Sequence, residues 1–146
     1  MKIWLENNNQ LIMLQLVRCP IGNEGIHLLA SAITGCTSLE HIAIRNCSID
    51  DDHDKSIEEL ASVLRLNRTL CRLDLSQNNI GTKGSYALTT SMLSNPTCEL
   101  KTLCLSHNDI GDEGIMYLAQ GLGMLDPSLY LARYIIIVCL DRSTGI

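Results

Sequence analysis

The stretch Leu103-Cys104-Leu105-Ser106-His107-Asn108-Asp109-Ile110-Gly111-Asp112-Glu113-Gly114 decides the fold. Apolar Leu103 and Leu105 flank Cys104 with period two, the mark of a short strand with one buried face. Asn108 and Gly111 then signal a turn. Ile115, Leu118, Ala119 and Leu122 follow at spacings of three and four, one buried helical stripe. Strand, turn and helix make one short supersecondary unit.

Working outward, the unit repeats. LxxLxL runs begin at Leu11, Leu39, Leu70 and Leu100, which lie 28, 31 and 30 residues apart. Five residues beyond each run comes Ile21, Ile49, Ile80 or Ile110, followed by Gly22, Asp50, Gly81 or Gly111. Gly25, Gly84 and Gly114 each precede a helical pattern, such as Ile26, Leu29, Ala30, Ile33 or Ala87, Leu88, Met92. In the second unit, extra residues within Asp50 to Lys55 put Ser56 on the glycine position and Ile57, Leu60, Ala61, Leu64 on the stripe. The period lies near the upper end of the roughly 20–29 residues of leucine-rich repeats.

A lone strand and helix cannot bury such faces, so units must stack. The expectation is a single α/β domain over 1–146: a right-handed solenoid, a horseshoe segment with parallel strands on its concave face and helices on its convex face. Repeats are expected at 11–38, 39–69, 70–99 and 100–128. Leu5 to Leu11 matches Leu64 to Leu70, so 1–10 reads as the tail of a partial repeat. Ile135, Val138 and Leu140 restore LxxLxL, so 129–146 reads as a degenerate fifth repeat or terminal segment. Neither end supplies an obvious polar cap, which leaves a fragment, a short isoform or a piece of a larger assembly as the expected alternatives.

Composition narrows the classes. The 146 residues are 46% hydrophobic and 18% charged, the balance of a globular chain, and with no Phe and one Trp the core must be aliphatic. A net charge of −5 and 3% aromatic residues oppose nucleic-acid binding. The longest apolar run, Tyr134 to Leu140, falls far short of the roughly 20 residues of a membrane span. Seven cysteines and no apolar signal segment at the amino terminus suggest free thiols in a reducing, cytoplasmic compartment.

Several local motifs have bland readings. The ninth position of each unit is Cys19, Cys47, Asn78 or Asn108, where an inward amide can satisfy the turn backbone and a small thiol tolerates burial. The paired glycines follow the repeat period and lack a following Lys, so they read as turns and close helix approach rather than a phosphate cradle. Glu24, Asp51, Asp52, Asp54, Asp112 and Glu113 complement helix dipoles. Asp50 to Asp54 puts Ala61 where a calcium loop needs its bidentate Glu, so no metal is expected. Asn46-Cys47-Ser48 and Asn67-Arg68-Thr69 are sequons with meaning only in a secreted chain.

The opening stretch, together with Leu73-Asp74-Leu75-Ser76-Gln77-Asn78-Asn79-Ile80-Gly81, resembles the ribonuclease-inhibitor-like class of leucine-rich repeats, over about residues 5 to 128. The resemblance implies a horseshoe that binds other proteins on its concave strand face and adjacent loops. Members of the class include immune receptors, Ran GTPase-activating proteins, actin regulators and ciliary subunits; the motif does not choose among them.

Function is therefore sought on the strand face. Its outward columns are Ile12, Glu40, Cys71, Lys101; Met13, His41, Arg72, Thr102; Gln15, Ala43, Asp74, Cys104; Val17, Arg45, Ser76, Ser106; and Arg18, Asn46, Gln77, His107. Four cations against Glu40 and Asp74 give this face +2, and the remainder of the chain −7. The candidate contact residues are Arg18, Glu40, His41, Arg45, Arg72, Asp74, Gln77, Lys101 and His107, and the expected partner is a protein with an acidic patch. Ile12, Met13 and Val17 form either a contact patch or the seat of a preceding unit, which makes end-to-end self-association an expectation too. Cys71, Cys104, His41 and His107 share the face, yet no nucleophile motif, oxyanion donor or closed cleft accompanies them, so no enzyme activity and no cofactor are expected. The alternatives are a GTPase regulator resembling the Ran-activating proteins, or a structural subunit of a cytoskeletal or ciliary assembly.

Overall fold

Alternating Leu and Ile side chains draw each LxxLxL run into a strand. In the computed structural model, which describes residues 10–50, 55–121 and 135–137, these are β1 (Met13–Val17), β2 (His41–Arg45), β3 (Arg72–Asp74) and β4 (Thr102–Cys104). A fifth strand, β5 (Ile135–Ile137), completes one parallel sheet in the order β1-β2-β3-β4-β5. Between successive strands run α1 (Gly22–Ile33), α2 (Ser56–Leu66), α3 (Thr82–Leu93) and α4 (Gly111–Gly121). Each helix packs on its neighbours in sequence, as each strand does, so the chain is a strand-helix solenoid.

The register stacks like on like: Leu14 beside Ile42, Ile42 beside Leu73, and Leu73 beside Leu103. Leu39, Ile42, Ile44, Leu70, Leu73, Leu75, Leu100, Leu103 and Leu105 are all buried, facing Ile26, Leu29, Ile57, Leu60, Leu64 and Leu88 from the helices. Each such side chain contributes about 1.5–3 kcal/mol relative to exposure. Leu11, Leu14 and Leu16 of the first unit are only partly buried.

At the carboxyl end the structure corrects the expected frame. Ile136, not Val138, lies beside Leu103. The LxxLxL spacing of Ile135, Val138 and Leu140 is therefore two residues out of step with the backbone pairing. Four consecutive apolar residues, Ile135 to Val138, offer several equivalent frames, and period two cannot choose between them. The expected helix tail at 1–9, the acidic loop residues 51–54 and the segments 122–134 and 138–146 lie outside the described residues.

The strand exits are held by a row of polar side chains. Asn78 donates from Nδ2 to the carbonyls of Ile44 and Leu75, at 2.8 and 2.9 Å, and accepts at Oδ1 from the amides of Cys47 and Ile49. Asn108 repeats this one unit on, with Nδ2 on Leu75 and Leu105 and Oδ1 accepting the Ile80 amide. Cys47 takes the same place with a thiol, donating to the carbonyls of Leu16 and Arg45 at 3.5 and 3.2 Å. Burial pushes the Cys47 thiol pKa up; the Cys19 amide opposes this and the Cys19 thiol adds to it.

A second row, which the strand motif does not announce, ties the helix ends to the next strand. Asn95 donates to the carbonyls of Leu64 and Asn67, both at 2.8 Å. Asn67 accepts at Oδ1 from the amides of Thr69 and Leu70, and the hydroxyls of Ser38 and Thr69 reach back to Leu11 and Leu39. Asn67 is thus a structural turn residue.

The glycines divide into two roles. Gly22 and Gly111 have φ of +58° and +67°, where a side chain is strained. Gly25 and Gly114 permit close packing, since a Cβ would fall 2.5 Å from Ile21 Cβ and 2.8 Å from Ile110 Cγ2. Both lie inside the first turn of their helices rather than before them, as Glu24, Asp112 and Glu113 do. In the second unit Ser56 opens α2, is 1% exposed, and its hydroxyl has no hydrogen-bond partner.

Candidate recognition face

Because side chains alternate along each strand, register assembles the outward columns. Met13, His41, Arg72 and Thr102 lie in one row across β1 to β4, and Gln15, Ala43, Asp74 and Cys104 in the next. The first row is exposed or half-exposed. The middle row is exposed only at Gln15: Ala43, Asp74 and Cys104 are 8%, 7% and 7% exposed. Small side chains flanked by long ones such as Arg45 and Arg72 end up beneath them. The outward face is therefore two populated flanks over a buried floor, and Asp74, placed in sequence among the contact residues, belongs to the floor.

Asp74 organises the centre. Its Oδ1 accepts from the Ser76 amide at 3.1 Å and the Ser76 hydroxyl at 2.6 Å. Its Oδ2 faces two guanidinium groups, Arg45 Nε at 3.9 Å from β2 and Arg72 Nη2 at 4.0 Å from its own strand. Neither is a hydrogen bond, and Arg45 Nε is buried without a partner. One carboxylate is thus shared between two cations. Arg72 Nη2 also stands 3.9 Å from Cys104 Sγ.

The remaining candidates surround this centre. His41, beside Arg72 in the register, is half-exposed, and its Nδ1 is buried without a hydrogen bond. Glu40 and Lys101 are exposed in the outermost column. Arg18, Gln77 and His107 occupy equivalent strand exits with φ of 55°, 60° and 56°, joined by Asn46 at 52°. That repeated left-handed turn swings their side chains away from the strand row onto an exposed rim. Asn46 and His107 are residue types that tolerate that conformation, but Arg18 and Gln77 have no preference for it, so the sequence does not mark the row as a whole.

The two thiols of the face are engaged in packing. Cys71 Sγ donates to the Thr69 carbonyl at 3.4 Å, and Cys104 lies on the buried floor. Among the described residues, no three His, Cys, Asp or Glu side chains are placed to hold a metal ion. Among them also, no helix is long and apolar enough to cross a membrane.

Comparison with known proteins agrees with this geometry. A family described as Leucine Rich repeat matches residues 66–88 and 98–119. The chain is 31% identical to NACHT, LRR and PYD domains-containing protein 12 of Mus musculus, over 81% of this chain and 14% of that protein. It is 36% identical to the ribonuclease inhibitor of Sus scrofa, over 70% of this chain and 22% of the inhibitor. The chain thus spans less than a quarter of the length of these relatives. Among solved structures, the C-terminal domain of Caenorhabditis elegans tropomodulin superposes with a TM-score of 0.69 at 16% identity, covering 94% of this chain and 80% of that one. The actin-binding site 2 segment of leiomodin-1 gives 0.69 at 23% identity, covering 82% and 69%. At those identities the likeness is one of fold.

Proposed function

The chain is a ribonuclease-inhibitor-like leucine-rich repeat protein, and from that premise we propose that it is a non-enzymatic interaction module whose strand face binds a protein partner through an acidic patch. Leucine-rich repeats are protein-interaction scaffolds, and the relatives named above share the repeat rather than a reaction. The observation that carries the finer reading is the shared carboxylate. Asp74 is the sole acid at the centre among the described residues, is half taken by Ser76, and faces both Arg45 and Arg72. Arg18 and Lys101 add exposed cations with no ion-pair partner among the described residues. A partner carboxylate brings the acceptors that this cluster lacks, steering encounter and fixing orientation.

Residues His41, Arg45 and Arg72 form the centre of the proposed contact, with Arg18, Glu40, Gln77, Lys101 and His107 around it and Asp74 as the internal counter-charge. No disulfide forms among the six described cysteines, in keeping with the reducing, cytoplasmic setting of this reading. Part-exposed Leu11, Leu14 and Leu16 support end-to-end association as a second contact of the same scaffold. Affinity capture tests the main reading. Wild type and the Arg45→Glu, Arg72→Glu double variant, matched for folding by circular dichroism, are compared in one extract. Loss of a specific partner from the variant supports it; identical capture by both proteins removes the basic face from the account.

A further inference from the structure

The helical side of the solenoid carries a groove of about 660 Å³ over α3, between α2 and α4. Two helix rows run along it, exposed except for the half-exposed Ser62, and all their residues but Leu93 line the groove. On α2 the row is Glu58, Ser62 and Arg65; on α3 it is Tyr86, Thr90 and Leu93. Both have the spacing i, i+4, i+7 of a single helix face. Their heights match, because the buried set Leu60, Ala61, Leu64 of α2 corresponds to Leu88, Thr89, Met92 of α3. Glu58 therefore stands level with Tyr86, Ser62 with Thr90, and Arg65 with Leu93.

Each row is complementary to its own reverse. The α2 row has an anion at one end, a cation at the other and a small hydroxyl residue between them. The α3 row has large apolar ends, Tyr86 at 54% and Leu93 at 59% exposure, again with a small hydroxyl residue between them. Among the described residues neither Glu58 nor Arg65 has an ion-pair partner. Tyr86 is held at the groove wall by Tyr117, edge to face with centroids 5.0 Å apart, and the Tyr117 hydroxyl donates to Glu113 at 3.2 Å. The described core is aliphatic, so this aromatic pair lies at the surface, where aromatic residues mark contacts.

We propose that this face is an isologous contact with a second copy of the chain, with α2 and α3 antiparallel to their counterparts about a two-fold axis passing by Ser62 and Thr90. Reversal of each row then sets Glu58 against Arg65 of the second copy and Arg65 against its Glu58. Tyr86 likewise meets Leu93 of the second copy, twice over, and the small central residues let the helices approach. Residue i contacting j while j contacts i is what two-fold symmetry requires. A partner of different sequence has no reason to mirror this order. The proposal is independent of the strand-face reading.

Sedimentation velocity of the full chain from about 1 to 100 µM tests it. Wild type dimerises reversibly. Glu58→Arg or Arg65→Glu sets like charges against each other and raises the dissociation constant about tenfold or more. The combined Glu58→Arg, Arg65→Glu variant restores the order in reverse and returns to within about twofold of wild type. An equimolar mixture of the two single variants forms a heterodimer. Both positions are exposed, and circular dichroism confirms that each variant is folded. A wild type that stays monomeric throughout, or a combined variant as weak as the singles, overturns the proposal.

Discussion

Asn78 Oδ1 accepts the Cys47 backbone amide at 3.0 Å, so a side chain of the third repeat closes the turn of the second. Asn78 Nδ2 donates in turn to the carbonyls of Ile44 and Leu75. Repeat stability is thus written between units rather than within them. Asn78→Ala leaves three buried backbone groups, the Cys47 and Ile49 amides and the Ile44 carbonyl, short of a partner, and it is expected to cost about 3 kcal/mol or more. Urea unfolding measures it; a loss below about 1 kcal/mol means that water replaces the amide.

Ser56 and Thr89 hold buried hydroxyls with no hydrogen-bond partner. Ser56→Ala and Thr89→Val each remove that cost and raise stability by roughly 1 kcal/mol. A lower thermal midpoint in either variant contradicts the assignment of an orphan hydroxyl at that site.

Gly114 lies where an added Cβ meets Ile110 Cγ2 at 2.8 Å and Ser85 Oγ at 3.1 Å. Alanine ordinarily improves a helix by about 1 kcal/mol, but here overpacking costs about 1–3 kcal/mol. Gly114→Ala is therefore expected to destabilise, whereas a gain in unfolding free energy shows that α4 shifts outward freely.

Much of this organisation is legible in the sequence. Leu73, Leu75 and Leu103, Leu105 announce strands because period two and burial coincide, and Asn78 and Asn108 announce the ladder by recurring at the ninth position. Other features are silent for physical reasons. Asp74 reads as a solvent-facing charge, and only the length of its neighbours Arg45 and Arg72 buries it. Asn67 and Asn95 form the second ladder through turns whose geometry the strand motif does not encode. The β5 frame is lost in a run of equivalent apolar residues. The α2 and α3 rows become comparable only when the helices are aligned by their buried faces.

The Cys47 thiol pKa is raised above its ordinary value of 9.0, chiefly by burial. A group whose native pKa is raised keeps its proton longer when folded. Its contribution is fully present below pH 9.0 and is lost as pH rises from there through the native value. Stability of wild type is expected to fall across that alkaline window more steeply than that of Cys47→Ser, since a serine hydroxyl does not titrate there. Parallel pH profiles for the two proteins contradict this.

The central claim is that the strand face, not the helical side, meets the foreign partner. Photocrosslinking decides it most directly, with p-benzoylphenylalanine at position 77 or 101 on the strand side and at position 120 on the exposed side of α4. The account predicts partner adducts from positions 77 and 101 and none from position 120. Adducts from position 120 alone contradict it.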